Sequence, residues 1–135
     1  MQTAPETAST SRGSLWTGRV LSGLAVLFLL FDASLKLLKL PVAIDATVQL
    51  GYPASAVLVI GLLELICTLL YVIPSTSVLG AVLLTGYLGG AVATHLRHSD
   101  PLFSHVLFPT YVGVLLWVGL LLREQRLRDL FPIRR

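Results

Sequence analysis

The chain has 135 residues, 55% of them hydrophobic and 13% charged, with a formal net charge of +3. A soluble domain carries about 25% charged residues, so this composition would force a soluble monomer to expose large apolar patches, which such proteins avoid. Lipid is the solvent it fits. The single cysteine, Cys67, excludes an internal disulfide framework and a multi-cysteine zinc site.

Residues 1–13, rich in Thr, Ser and Ala, read as a disordered leader. The first apolar stretch then runs over residues 15–38. It is not a cleaved signal sequence, because it continues into the Asp32 and Lys36 pair and no small-x-small cleavage site follows. Residues 40–53 form a longer connector in which Pro41 opens and Gly51 closes a short helix; Ile44 and Val48 lie opposite Asp45 and Gln49, as expected of a helix at the membrane interface. The second span, 54–73, is interrupted only by Glu64, and the uncharged Pro74 to Ser77 turn makes an antiparallel hairpin with the third span, 78–96. The fourth span covers 102–122, with Pro109 expected to kink it, and residues 124–135 form a basic tail.

Each stretch is near the roughly 20 residues that a helix needs to cross about 30 Å of hydrocarbon. The alternation that a membrane barrel requires is missing. The expected fold is therefore all-α: a four-helix transmembrane bundle with a short interfacial helix between spans one and two, resident in the lipid bilayer. With both termini in the cytoplasm, seven of the ten basic residues lie on the inner side, leaving Lys36, Lys39 and Arg97 outside. Five of the ten fall in the last 13 positions, where each contributes about 1 kcal/mol to binding an anionic leaflet. Few aromatics interleave these arginines, which argues against nucleic acid as a partner.

An ionisable side chain inside a span marks a functional candidate unless it is paired. Asp32 and Lys36 are four apart on one helix face and can pair with each other, so a structural ion pair stands beside a functional role. Glu64 has no cation near it in sequence; it needs a partner from another helix or must carry a proton. Gly61, Thr68 and Tyr71 share its face, while Tyr87, Thr94 and His95 fall along one stripe of the third span and His105 opens the fourth. Asp32, Lys36, Glu64, His95, Arg97 and His105 thus converge on one level in the outer half, where a polar pocket open to the outer side is expected. Glu64 and Asp32 are the candidate catalytic acid or base, and Lys36, Tyr87, Thr94, His95 and His105 the candidate ligand-binding groups. His95, His98 and His105 lack the i, i+4 spacing of a metal-binding helix, so no metal site is expected. Gly86, Gly90 and Thr94, with Thr85, Gly89 and Ala93 beside them, read as small-residue ridges for close helix packing.

The segments LWTGRV (15–20), FDASLK (31–36), GLLEL (61–65) and above all LGAVLLTGYLGGAVATHLR (79–97) resemble the DoxX-like family of small bacterial membrane proteins. The resemblance covers about Leu15 to Arg123. It implies a four-helix integral protein of the bacterial cytoplasmic membrane, in a wider group, with the DoxX and DoxD proteins, tied to quinone-linked or thiol-linked redox systems. Some members of that group act as a membrane subunit beside a catalytic redox partner protein. The positions Asp32, Lys36, Glu64 and His95 match the family pattern, which carries no settled catalytic assignment. Two readings follow: an accessory or binding subunit whose pocket holds a quinone or other small lipophilic molecule, and a membrane enzyme, an isomerase or hydrolase, using Glu64 or Asp32. Transport would require a homo-oligomer, because one such chain offers no inverted repeat.

Overall fold

The computed structural model describes residues 11–130, so most of the expected leader and the last five residues of the basic tail lie outside the described residues. Six α-helices follow one another among the described residues: α1 Arg12–Leu37, α2 Pro41–Gln49, α3 Ala56–Val72, α4 Ser77–Arg97, α5 Phe108–Arg123 and α6 Gln125–Leu130. A 3-10 turn, Pro74–Thr76, joins α3 to α4, and a π-helical turn, Leu102–Val106, precedes α5. No strand occurs among the described residues. The described residues thus form an all-helical fold, and α1, α3, α4 and α5 pack in a ring, α1 against α3 and α5 and α4 against the same two.

Among the described residues three helical stretches are long and apolar enough to cross a membrane by length and composition: Arg12–Leu37, Pro74–Arg97 and Leu102–Arg123. The segment read as the second span is shorter than expected, 17 residues from Ala56 to Val72. That length rises about 25 Å, the lower end for a crossing helix. Large apolar side chains point outward along the ring, with Leu27 67% and Phe31 64% exposed. Such a surface is stable in hydrocarbon and not in water.

Both ends of the ring are closed by backbone chemistry. Ser11 caps α1 by accepting from Ser14 N–H, and the Ser14 hydroxyl donates to Leu122 O at 3.1 Å, which places the start of α1 beside the end of α5 at one end, the terminal end. At the opposite, loop end, α1, α2 and α4 each finish in the same motif. A left-handed residue (Lys39, Gly51 or Ser99) is followed by an N–H that reaches back five residues, Leu40 to Leu35 O, Tyr52 to Thr47 O and Asp100 to His95 O. This satisfies carbonyls that a helix end otherwise leaves bare.

Close approach of the helices depends on glycines other than those in the small-residue ridges. A Cβ at Gly80 would run into the Leu70–Tyr71 backbone, and one at Gly61 would come 2.8 Å from Lys36 Cβ. At Gly86, Gly89 and Gly90 a Cβ would meet nothing within 4 Å. Those three are not packing devices, because no helix lies against them. One further expectation is corrected. Pro109 does not kink a continuous helix; it lies in the first turn of α5, where its missing N–H breaks no bond, and the irregularity is the π-helical turn before it. In α2 the face turned inward is Ala43 and Thr47, while Val48 is exposed, because the helix packs by small residues. In the tail, α6 buries Leu127 against the core.

Candidate functional site

The packed core occupies the terminal half, where Ala25, Leu29, Tyr71, Ala81, Leu84, Leu116 and Leu120 are buried together. In the loop half the helices diverge around a charged cluster. Ala33, fully buried on α1, and Gly61 on α3 are small enough to bring these helices together, which presents Lys36 to α3. Lys36 Nζ donates to Glu64 Oε2 at 2.8 Å, to Tyr87 OH at 2.9 Å and to Asp32 Oδ2 one turn before it. Tyr87 in turn donates to Glu64 Oε2 at 3.1 Å. Three helices are therefore joined through one ammonium group.

The cluster is unbalanced. Two carboxylates share one ammonium, and Glu64, 1% exposed, has a second oxygen, Oε1, that accepts no hydrogen bond from the described residues. Leaving a buried acceptor bare costs about 1–3 kcal/mol and more for a charged group. Asp32 is the open member, with about a third of its side chain accessible.

These groups form one wall of a cavity of about 550 Å³. Phe28, Leu88, Phe108, Pro109 and Val112 supply an apolar wall from α1, α4 and α5, and the Phe28 and Phe108 rings meet edge to face at 5.1 Å. Helix α2 roofs it with Val42, Ala43, Ala46 and Thr47, joined by Leu50 just past its end. That roof is tied to α4 by Tyr52 OH with Thr94 Oγ1 at 2.9 Å and by Arg97 Nη2 donating to Leu50 O at 3.3 Å. Gly51, between the two ties, has φ of +94°, and a Cβ there would press on Arg97 Nη2. Gly86 and Gly90 also line the cavity, so their missing side chains make room for a guest instead of a helix. The cavity is not sealed: Leu63, Gly86 and Gly90, all exposed, form part of its wall.

The structure brings together six of the seven residues singled out from sequence: Asp32, Lys36, Glu64, Tyr87, Thr94 and His95 line the same cavity. His105 does not. It is exposed, its Nδ1 hydrogen-bonds Ser104 Oγ at 2.8 Å, and its ring stands 6.1 Å from the His95 ring at the rim. Asp100, which the sequence did not flag, ties the end of α4 by accepting from His95 Nδ1 at 2.6 Å and His98 Nδ1 at 2.8 Å. The bond from His95, then that from His98, holds its carboxyl below the usual carboxylate range. Thr47 and Tyr52 were missed as lining residues; they come from the connector, whose amphipathic pattern gave a helix but no hint that it folds over the pocket. No group of His, Cys, Asp and Glu suited to a metal ion occurs among the described residues.

With an all-helical apolar ring and its polar pocket established, the family model decides the affiliation: it matches residues 20–119 under the description DoxX-like family. The chain belongs to the DoxX-like family. The match runs from α1 to the last turns of α5 and so takes in every helix of the ring and every cavity residue named above. No curated protein and no solved structure gives a significant match. The protein is a DoxX-like integral membrane protein.

Proposed function

We propose that this DoxX-like protein is a redox-associated binding or accessory subunit whose cavity takes up a small lipophilic molecule with a quinone-type head. The observation that carries this reading is a cavity of about 550 Å³, the size of sites for small organic ligands, with apolar walls and one charged cluster. The apolar walls suit a ring or chain partitioned from lipid, and the Lys36, Glu64 and Tyr87 cluster fixes the orientation of its polar head. Positive residues at the terminal end favour an orientation with both termini in the cytoplasm, so that the cavity lies in the outer half of the bacterial cytoplasmic membrane. A catalytic redox partner would dock on the loop end.

The test is equilibrium binding of a decyl-substituted benzoquinone and its reduced dihydroxy form to the purified protein in detergent. Saturable binding of at least one form is expected. Gly90→Leu is expected to abolish it by filling the cavity, without unfolding the helices, because its Cβ meets open space. Failure of both forms to bind, or binding unchanged in Gly90→Leu, overturns the reading. A second reading is favoured by the free Oε1 of Glu64, a group placed to take a proton from a bound substrate: an isomerase or hydrolase with Glu64 or Asp32 as acid or base. Substrate turnover lost in Glu64→Gln, with folding intact, would distinguish it.

A further inference from the structure

The polar wall of the cavity is one-sided in its hydrogen-bonding chemistry. Each side-chain donor on it is already engaged inside the protein. The three ammonium protons of Lys36 go to Asp32, Glu64 and Tyr87, and the Tyr87 hydroxyl goes to Glu64. Thr47 donates to Ala43 O at 2.8 Å and Thr94 to Gly90 O at 2.8 Å, so the bond between Tyr52 and Thr94 takes the Tyr52 proton. His95 faces the Asp100 carboxylate through Nδ1. A carboxylate only accepts, so Nδ1 carries the proton, and Nε2 accepts only when the ring holds no second one. What the wall has to offer is a pair of acceptors: Glu64 Oε1, bare and buried, and the accessible Asp32 carboxylate.

We infer that the cavity selects lipophilic molecules headed by a hydrogen-bond donor, a hydroxyl or a protonated amine, which the Asp32 and Glu64 carboxylates receive. The inference rests on the binding role proposed above and narrows it. With the Asp32 and Glu64 carboxyls ionised and the His95 ring neutral, a quinone's carbonyls, which only accept, find no free donor on this wall, whereas its reduced dihydroxy form donates. The cavity therefore distinguishes the two redox states of such a molecule by hydrogen-bond polarity, with no difference in shape required. An amine head adds a cation that balances the second carboxylate.

Two matched probes isolate the claim: para-octylphenol, and its methyl ether para-octylanisole, which keeps the ring and chain but cannot donate. A hydrogen bond to a charged acceptor implies a preference for the phenol of about 10-fold or more in Kd for the wild-type protein. In Glu64→Gln and Asp32→Asn, where the new amides both donate and accept, that ratio should shrink toward about unity as ether binding is retained or improved. Equal affinity of phenol and ether for the wild type overturns the donor rule but leaves the binding role standing. Binding of neither probe overturns both. Because the wild-type comparison is decisive alone, a variant that fails to fold does not blunt the test.

Discussion

Tyr71 and Glu64 lie on the same face of α3, seven residues and about 10 Å apart, and both are 1% exposed. Their surroundings differ completely. The Tyr71 hydroxyl donates to Leu116 O at 2.6 Å and takes the Ser22 proton at 2.8 Å, bonds that reach across α1, α3 and α5 among packed leucines. The hydroxyl is satisfied by neutral partners, the one nearby charge is the Arg123 guanidinium 5.6 Å from the centre of the Tyr71 ring, and the helices touch through Gly18, Gly80 and Gly119. At Glu64 the polarity is charged, one carboxylate in excess, and the adjacent glycines, Gly86 and Gly90, face open space. The terminal half is built as a clamp that holds the bundle, and the loop half as a chamber whose wall is left chemically incomplete.

The largest expected break in that contrast is Lys36→Ala. It strips the only ammonium from two carboxylates, and removing one partner of a buried pair destabilises by about 3–5 kcal/mol. Removing the whole charge set at once, with Lys36→Met, Asp32→Asn and Glu64→Gln together, should restore most of that loss, since a neutral replacement of a buried ion cluster is tolerated far better than a broken one. Reversible unfolding in mixed micelles measures both. A loss below about 1 kcal/mol for Lys36→Ala, the range of an exposed pair, would mean that the cluster is solvated and not a coupled network.

Tyr71→Phe tests the other half. It leaves Leu116 O and the Ser22 hydroxyl without their partner and should lower stability by about 1–3 kcal/mol. Phenol binding should be unchanged, because the lost hydroxyl is outside the cavity wall. If Tyr71→Phe weakened binding as much as Glu64→Gln, the two halves would be one functional unit and the division drawn here would fall.

The parts of this division were unequally legible in sequence. Helices, their turns and the inward face of α3 (Gly61, Glu64, Thr68 and Tyr71) follow from periodicity and from charge scarcity, which are local signals. Asp32, Lys36 and Glu64 stood out because charges are rare in such a chain, and Lys36 proved to be the cross-helix cation Glu64 needs. The roles of the glycines were not legible: GxxxG spacing at Gly86 and Gly90 signals a groove on the helix but not whether a helix or a ligand fills it. The hairpin and the α1–α3 approach, set by Gly80 and Gly61, placed neighbours elsewhere. His105 failed to join the cavity for a similar reason. Its depth along the chain was right, but the π-helical turn at Leu102–Val106 ends before α5 and leaves the ring at the rim.

The smallest expected effect concerns how firmly the chamber's rim is held. Asp100 joins His95 and His98 and is the tie between the end of α4 and the loop leading to α5. Its folded carboxyl titrates below the usual value, so the tie contributes its full stabilisation above the ordinary carboxyl pKa of about 4 and loses it as the pH falls through the lower folded value. His95 lines the cavity and its ring also faces His105, so loosening should spread from the rim into the loop half and stop before Tyr71. Hydrogen-exchange protection factors, corrected for intrinsic rates, should therefore fall on acidification for the amides of Leu96 to Asp100 while those around Tyr71 and Leu116 hold. Asp100→Asn should start with lower protection at the rim and show a flatter pH dependence, because its amide no longer titrates. Parallel pH profiles in the two proteins would assign the acid sensitivity to another group, and an equal loss of protection around Tyr71 would show that the clamp and the chamber yield together.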